Sequence, residues 1–162
     1  MIHQELDVER LRVANKDVVR RFIEAINDSW NVEAMRDMVT EDFLFAIPFA
    51  PDWFRVRHHG REDALAFLDR VRDLMDPENL HDLRLDTYAS DPGEVVAHYR
   101  SATTMKSTSL PYCNEYIGRF TVRDGRIVSF MEYLDPIRFV IAIGGTVNPP
   151  AGITRTGASD GG

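Results

Sequence analysis

The chain has 162 residues, 44% hydrophobic and 28% charged, with 19 Lys plus Arg against 26 Asp plus Glu and a formal charge of −7. A single globular domain of this size buries roughly 70% of its surface and needs no disulfide or metal staple. The acidic balance repels phosphate backbones and anionic lipid, so neither nucleic acid nor a membrane is expected as a partner. Cys113, the single cysteine, has no internal partner, and no CxxC, HExxH or Cys/His cluster marks a zinc site. Glu5, Asp7, Glu9, Arg10 and Arg12 interrupt the region where a secretory signal would place its apolar segment. No apolar stretch approaches the ~20 residues of a membrane span, and a cytoplasmic address is the expectation.

From Val8 to Asn27, apolar residues including Leu11, Ala14, Val18, Phe22 and Ile26 recur at helical spacing and predict an amphipathic helix. Asn31 caps a second short helix carrying Val32, Met35, Met38 and Val39 on one stripe. Phe43 to Phe49 reads as a strand that runs into a Pro-bounded aromatic loop with Trp53 and Phe54. Ala64, Leu65, Leu68, Val71 and Met75 mark a third helix from Arg61 to Met75, stopped by Asp76-Pro77. Strands follow over Asp82–Ala89, Glu94 to about Met105, Tyr112–Arg123 and Arg126–Leu134, with Asp124-Gly125 as a hairpin turn. Asp135-Pro136 starts a short helix through Ile143. Helices first and antiparallel strands after give an α+β class. Residues 1–143 form one domain, and Gly144–Gly162 is a Gly/Pro-rich tail.

The run Tyr112-Cys113-Asn114-Glu115-Tyr116-Ile117-Gly118-Arg119-Phe120-Thr121-Val122-Arg123-Asp124-Gly125-Arg126-Ile127-Val128 resembles the signature hairpin of SnoaL-like proteins of the nuclear transport factor 2-like superfamily. Phe130-Met131-Glu132-Tyr133-Leu134-Asp135-Pro136 and His59-Gly60-Arg61-Glu62-Asp63-Ala64 resemble the same pattern, which covers about residues 8 to 143. The resemblance implies a cone-shaped α+β barrel, three helices of the N-terminal half packed in a strongly curved, mostly antiparallel sheet, with a deep apolar pocket. It also implies a homodimer formed through the outer sheet face. It is specific for fold and weak for reaction.

Within that frame Glu132 is the first candidate, because a carboxyl on an apolar strand face has its ionised form disfavoured and its pKa raised toward useful acid/base values. Its position resembles the acid/base glutamate of phenazine-biosynthesis A/B proteins, the nearest pattern, and the second carboxylate of limonene-epoxide-hydrolase-like proteins. The alternative is an ion pair with Arg100 or Arg138. The chain has Phe67 and Val71 where the phenazine proteins place a third-helix histidine and serine, and Ala102 where the epoxide hydrolases place an aspartate. Ketosteroid isomerase's base falls at Ile47, its helix-1 tyrosine at Phe22 and its hairpin acid at Tyr116, which also matches the polyketide cyclase aspartate. Tyr116 can donate a hydrogen bond to a developing oxyanion but is a poor base.

Of His58 and His59, one should point inward and one outward, and His58 is taken as a catalytic candidate. His98 is another, in a cluster with Arg100 and Glu132 or, alternatively, facing outward. Phe22, Trp53, Phe54, Phe67, Tyr99, Arg100, Asn114 and Phe130 are the expected substrate-binding residues, with Trp53 and Phe54 as a lid. No GxGxxG opens a helix, and no flavin, nicotinamide, haem or metal is expected. The expected function is cofactor-independent acid/base catalysis, as an isomerase, cyclase or dehydratase, on an apolar carbonyl-bearing or cyclic small molecule. The alternatives are a non-catalytic small-molecule-binding protein or an epoxide-hydrolase-like enzyme.

Overall fold

A computed structural model describes residues 2–151 of the chain. The last part of the expected tail, residues 152–162, lies outside the described residues. Helix α1 (Ile2–Asn27) is followed by α2 (Val32–Arg36), β1 (Val39–Ala46), β2 (Arg57–His59) and α3 (Arg61–Leu74). Strands β3 (His81–Thr87), β4 (Glu94–Arg100), β5 (Thr103–Thr104), β6 (Pro111–Tyr112), β7 (Glu115–Arg123) and β8 (Arg126–Leu134) lead to α4 (Pro136–Ala142). Six strands form one curved sheet in the order β2-β1-β8-β7-β4-β3, parallel only between β1 and β8, and β5 pairs with β6 separately. The helices pack on this sheet in an α+β cone.

Local chemistry explains most boundaries. Asn31 accepts from the Ala34 N–H and starts α2, and Asp135 does the same for α4 through Ile137 and Arg138. Asp124 (φ 50°) and Gly125 (φ 71°) are both left-handed, as the two central residues of a tight type I′ hairpin require. The first helix begins at Ile2, earlier than the expected Val8. Val39, expected on a helical stripe, instead opens β1, and its partner there is Ile127. That first strand stops at Ala46: the chain turns after Ile47, whose N–H donates to Val56 O, and Phe49 ends up 62% exposed.

Two long predicted strands are broken, and the breaks build the site. After β4 the chain leaves the sheet at Ser101-Ala102, where the Ser101 N–H donates to Asn114 O and the Ala102 N–H to Glu78 O. Between β6 and β7 the buried Asn114 holds the gap: its Oδ1 accepts from the Glu115 and Asp135 N–H groups, and its Nδ2 donates to Asp135 O. Side-chain bonds thus replace the missing ladder. The breaks draw the segment after α3, the start of β7 and the end of β8 together at one end of the cone. At the other end Phe22, from α1, meets Phe43, Phe120 and Phe130 at ring-centroid distances of 5.8 to 6.2 Å, a filled aromatic core.

A carboxylate and tyrosine cavity as the candidate active site

The inward faces of β4, β7 and β8 carry a row set by strand register. Tyr99 stands opposite Tyr116 and Tyr116 opposite Leu134, while Ala97 stands opposite Gly118 and Gly118 opposite Glu132. Because side chains alternate, Asn114, Tyr116 and Phe120 are buried while Glu115 and Arg119 are exposed. The small Ala97 and Gly118 leave room for Tyr99 to cross toward β8, where its hydroxyl donates to Glu132 Oε1 at 2.5 Å. The Tyr99 and Tyr116 rings stack at 5.0 Å and 12°.

Glu132 lines a cavity of about 60 Å³ at this end of the cone, walled by Phe45, Phe54, Phe67 and Phe139 and reached by Tyr112 and Tyr116. That volume holds a few water-sized groups. A second acid lines it as well. Glu78, in the segment between α3 and β3, is buried, and its Oε1 accepts from the Tyr116 hydroxyl at 3.2 Å. Tyr116 in turn lies 3.2 Å from the Tyr112 hydroxyl and 3.1 Å from Ser101 Oγ, and Asn114 Nδ2 donates to Tyr112 at 3.0 Å. Asn114 therefore feeds a hydroxyl chain that ends on a carboxyl.

Burial sets the protonation of this group. Loss of hydration, partly offset by the Tyr99 bond, pushes Glu132 up to about 7. Glu78 rises to about 8, first through loss of hydration and then through the neighbouring Glu132 charge, against the Tyr116 bond. The same burial holds the Tyr99, Tyr112 and Tyr116 phenols neutral well above neutral pH. Near pH 7 the cavity thus offers two carboxyls poised between acid and base, with neutral hydroxyl donors beside them.

The expected site residues divide sharply. Glu132, Tyr116, Phe54 and Phe67 line the cavity, while Tyr99 and Asn114 touch it through their bonds to Glu132 and Tyr112. Phe22 and Phe130 instead pack in the aromatic core with Phe43 and Phe120 and do not line the cavity. Trp53 is 62% exposed and touches only Phe54 edge-on among the aromatic rings. His98 and Arg100 lie on the outer sheet face, because they alternate with the inward Ala97 and Tyr99. The expected cluster of His98, Arg100 and Glu132 is therefore not formed. Arg100 sits 3.5 Å from Asp82 and 3.6 Å from Glu115, and Arg138 3.5 Å from Asp135, so neither arginine pairs with Glu132.

Of the two neighbouring histidines, His58 is buried and His59 exposed. His58 stacks on Phe67 at 4.1 Å and on Phe45 at 6.2 Å, behind the cavity wall those two rings form. Neither of its nitrogens has a hydrogen bond; burial, then the Arg55 charge, lowers its pKa against the pull of Asp63, whose Oδ2 is 3.8 Å away. It is a neutral packed ring. Glu78 is the group that sequence reading missed: Asp76-Pro77-Glu78-Asn79 has the composition of a solvated turn and no periodicity to mark an inward residue. Among the described residues no three His, Cys, Asp or Glu side chains come together as a metal centre requires. No described helix is long and apolar enough to cross a membrane.

A curved sheet wrapped on helices, with its cavity at the open end, is the cone of the nuclear transport factor 2-like and ketosteroid-isomerase-like proteins. Residues 19–130 match the SnoaL-like domain, and the chain belongs to that family. An uncharacterised Bacillus subtilis protein, YesE, is 26% identical over 132 residues, covering 80% of this chain and 87% of its own. The crystal structure of a proposed isomerase from Bacillus subtilis superposes with a TM-score of 0.76 at 22% identity, over 82% of this chain and 94% of that one. A phenazine biosynthesis-related protein of Pseudomonas aeruginosa gives 0.73 at 15% identity, over 91% and 97%. Proteins described as isomerases, polyketide cyclases and an epoxide hydrolase all share the fold.

Proposed function

We propose that the protein is a cofactor-independent proton-transfer enzyme, of isomerase, cyclase or dehydratase type, acting on a compact small molecule held in the cavity. The observation that carries this reading is Glu132, half-buried on the wall of a formed cavity and fixed by the Tyr99 hydroxyl, with its pKa pushed up to about 7 by loss of hydration. A group with that pKa can take a proton from a substrate carbon and return it at comparable cost. Tyr99 orients the carboxyl. Tyr112 and Tyr116 reach the same space as neutral hydroxyls and supply hydrogen bonds to an oxyanion that develops as the proton leaves. A carbonyl next to the reacting carbon would make that oxyanion.

The wild-type protein and Glu132→Gln should be incubated in deuterated water with a panel of compact ketones and their unsaturated isomers, with solvent exchange and isomerisation followed by proton NMR. The expected result is wild-type exchange that grows as pH rises through about 7, as the base form of Glu132 appears, and a loss of 10²-fold or more in the variant, the usual size for a general base. Equal rates in both proteins would remove Glu132 from the chemistry. The apolar wall by itself favours a second reading, a binding protein without turnover. Native mass spectrometry separates the two, since a co-purified ligand that survives long incubation unchanged supports binding alone.

A further inference from the structure

Glu78 and Glu132 each accept a single phenol hydrogen bond on Oε1, and their Oε2 atoms have no partner among the described residues. Among the described residues neither acid has a salt-bridge partner, and Arg100 and Arg138 pair instead with Asp82, Glu115 and Asp135. Two acids facing one apolar cavity with no counter-charge are a costly arrangement, relieved either by protonation or by a cationic occupant. The wall favours the second. Phe45, Phe54, Phe67 and Phe139 surround the space, and aromatic rings attract an organic cation once water is excluded. Trp30 adds a further buried aromatic ring to this wall.

We infer that the cavity takes a compact organic amine, bound as its ammonium form, with the nitrogen donating to Glu78 and Glu132 and the carbon skeleton against the aromatic rings. This rests on the cavity being the ligand site and adds the class of ligand. Ammonium binding needs ionised carboxylates. Loss of hydration keeps a proton on Glu132 up to about 7, and loss of hydration with the Glu132 charge keeps one on Glu78 up to about 8, so binding tightens as pH rises through that range while the surrounding tyrosines stay neutral.

The test uses 1-amino-2-methylpropan-2-ol and its uncharged isostere 2-methylpropane-1,2-diol, titrated into the full-length protein with amide chemical shifts as readout, at about pH 6 and about pH 8.5. At the higher pH the amine should bind about tenfold or more tightly than the diol, the size of one charge-assisted hydrogen bond. That preference should shrink at the lower pH and be lost in Glu78→Gln and in Glu132→Gln. Should either variant fail to fold, the wild-type pH profile decides. Equal binding of amine and diol would overturn the amine inference and leave the cavity a site for neutral ligands. Binding of neither would overturn it as well, while isomerisation of a ketone in the solvent-exchange experiment would still uphold the enzyme reading.

Discussion

The two ends of the cone's interior are built from the same strands and serve opposite purposes. Toward the hairpin, β7 and β8 present Phe120 and Phe130, stacked at 4.2 Å and 9°, against Phe22 of α1. Toward the other end they present Tyr116 and Glu132, and α3 and the chain after it add Phe67 and Glu78. At the first end every side chain is apolar and the space is full. At the second, tyrosine hydroxyls meet one oxygen of each carboxyl, and a cavity remains. The difference shows that inward direction is a property of strand register, whereas function depends on whether the inward side chain can be hydrogen-bonded without being neutralised.

That contrast predicts where substitutions hurt. Phe22→Ala opens the filled end, where three aromatic neighbours cannot collapse onto the gap, and should cost about 3 to 5 kcal/mol in urea unfolding. A loss below 1 kcal/mol, on the order of a methylene, would mean the closed end is as plastic as the cavity end. Glu78→Gln should act in the reverse sense and with pH. The native carboxyl keeps its proton from an ordinary 4.5 up to about 8, so over that range the native state binds more protons than the unfolded chain. The stability this gives is complete below the ordinary carboxylate range and is lost as pH rises toward 8. The Gln variant lacks that loss and should be more stable than wild type at alkaline pH by a few kcal/mol, with a flatter profile. Identical pH slopes in the two proteins would show that Glu78 is hydrated.

Much of the cone could be read from the chain. The Asp124-Gly125 turn, the helical stripe of α1 and the alternation around Phe120 each depend on neighbours within a few residues, and they place Tyr116 and Glu132 inward together. What escaped depends on distant contacts. Val39 sits in a helical spacing yet pairs with Ile127 across the sheet. Ser101 and Asn114 look like ordinary strand residues, but they bond to each other where both strands break. Glu78 is placed by the Ala102 N–H on its own carbonyl, a bond between chain segments that no local pattern encodes. For His98 the period was informative and the sign was not: alternation says that His98 and Arg100 share a face, and only the inward Tyr99 decides which.

Gly118 is the seam between the two ends, opposite Glu132 on β8 and Ala97 on β4. A Cβ there would lie 2.8 Å from a Phe120 ring carbon, 3.1 Å from Phe130 and 3.3 Å from Tyr99. The first two rings belong to the packed core and the third carries the hydroxyl that holds Glu132. Gly118→Ala should therefore cost about 1 to 3 kcal/mol through overpacking. Because Phe120 and Phe130 are stacked on each other, the clash is expected to displace Tyr99 as well. The variant should then weaken the Tyr99 bond to Glu132, and since that bond lowers the Glu132 pKa, its titration should move upward. Carbon-13 NMR of labelled glutamate carboxyls reads that shift directly. A destabilised Gly118→Ala with an unchanged Glu132 titration would show that strain at the seam is absorbed by the core and that the two ends are mechanically separate.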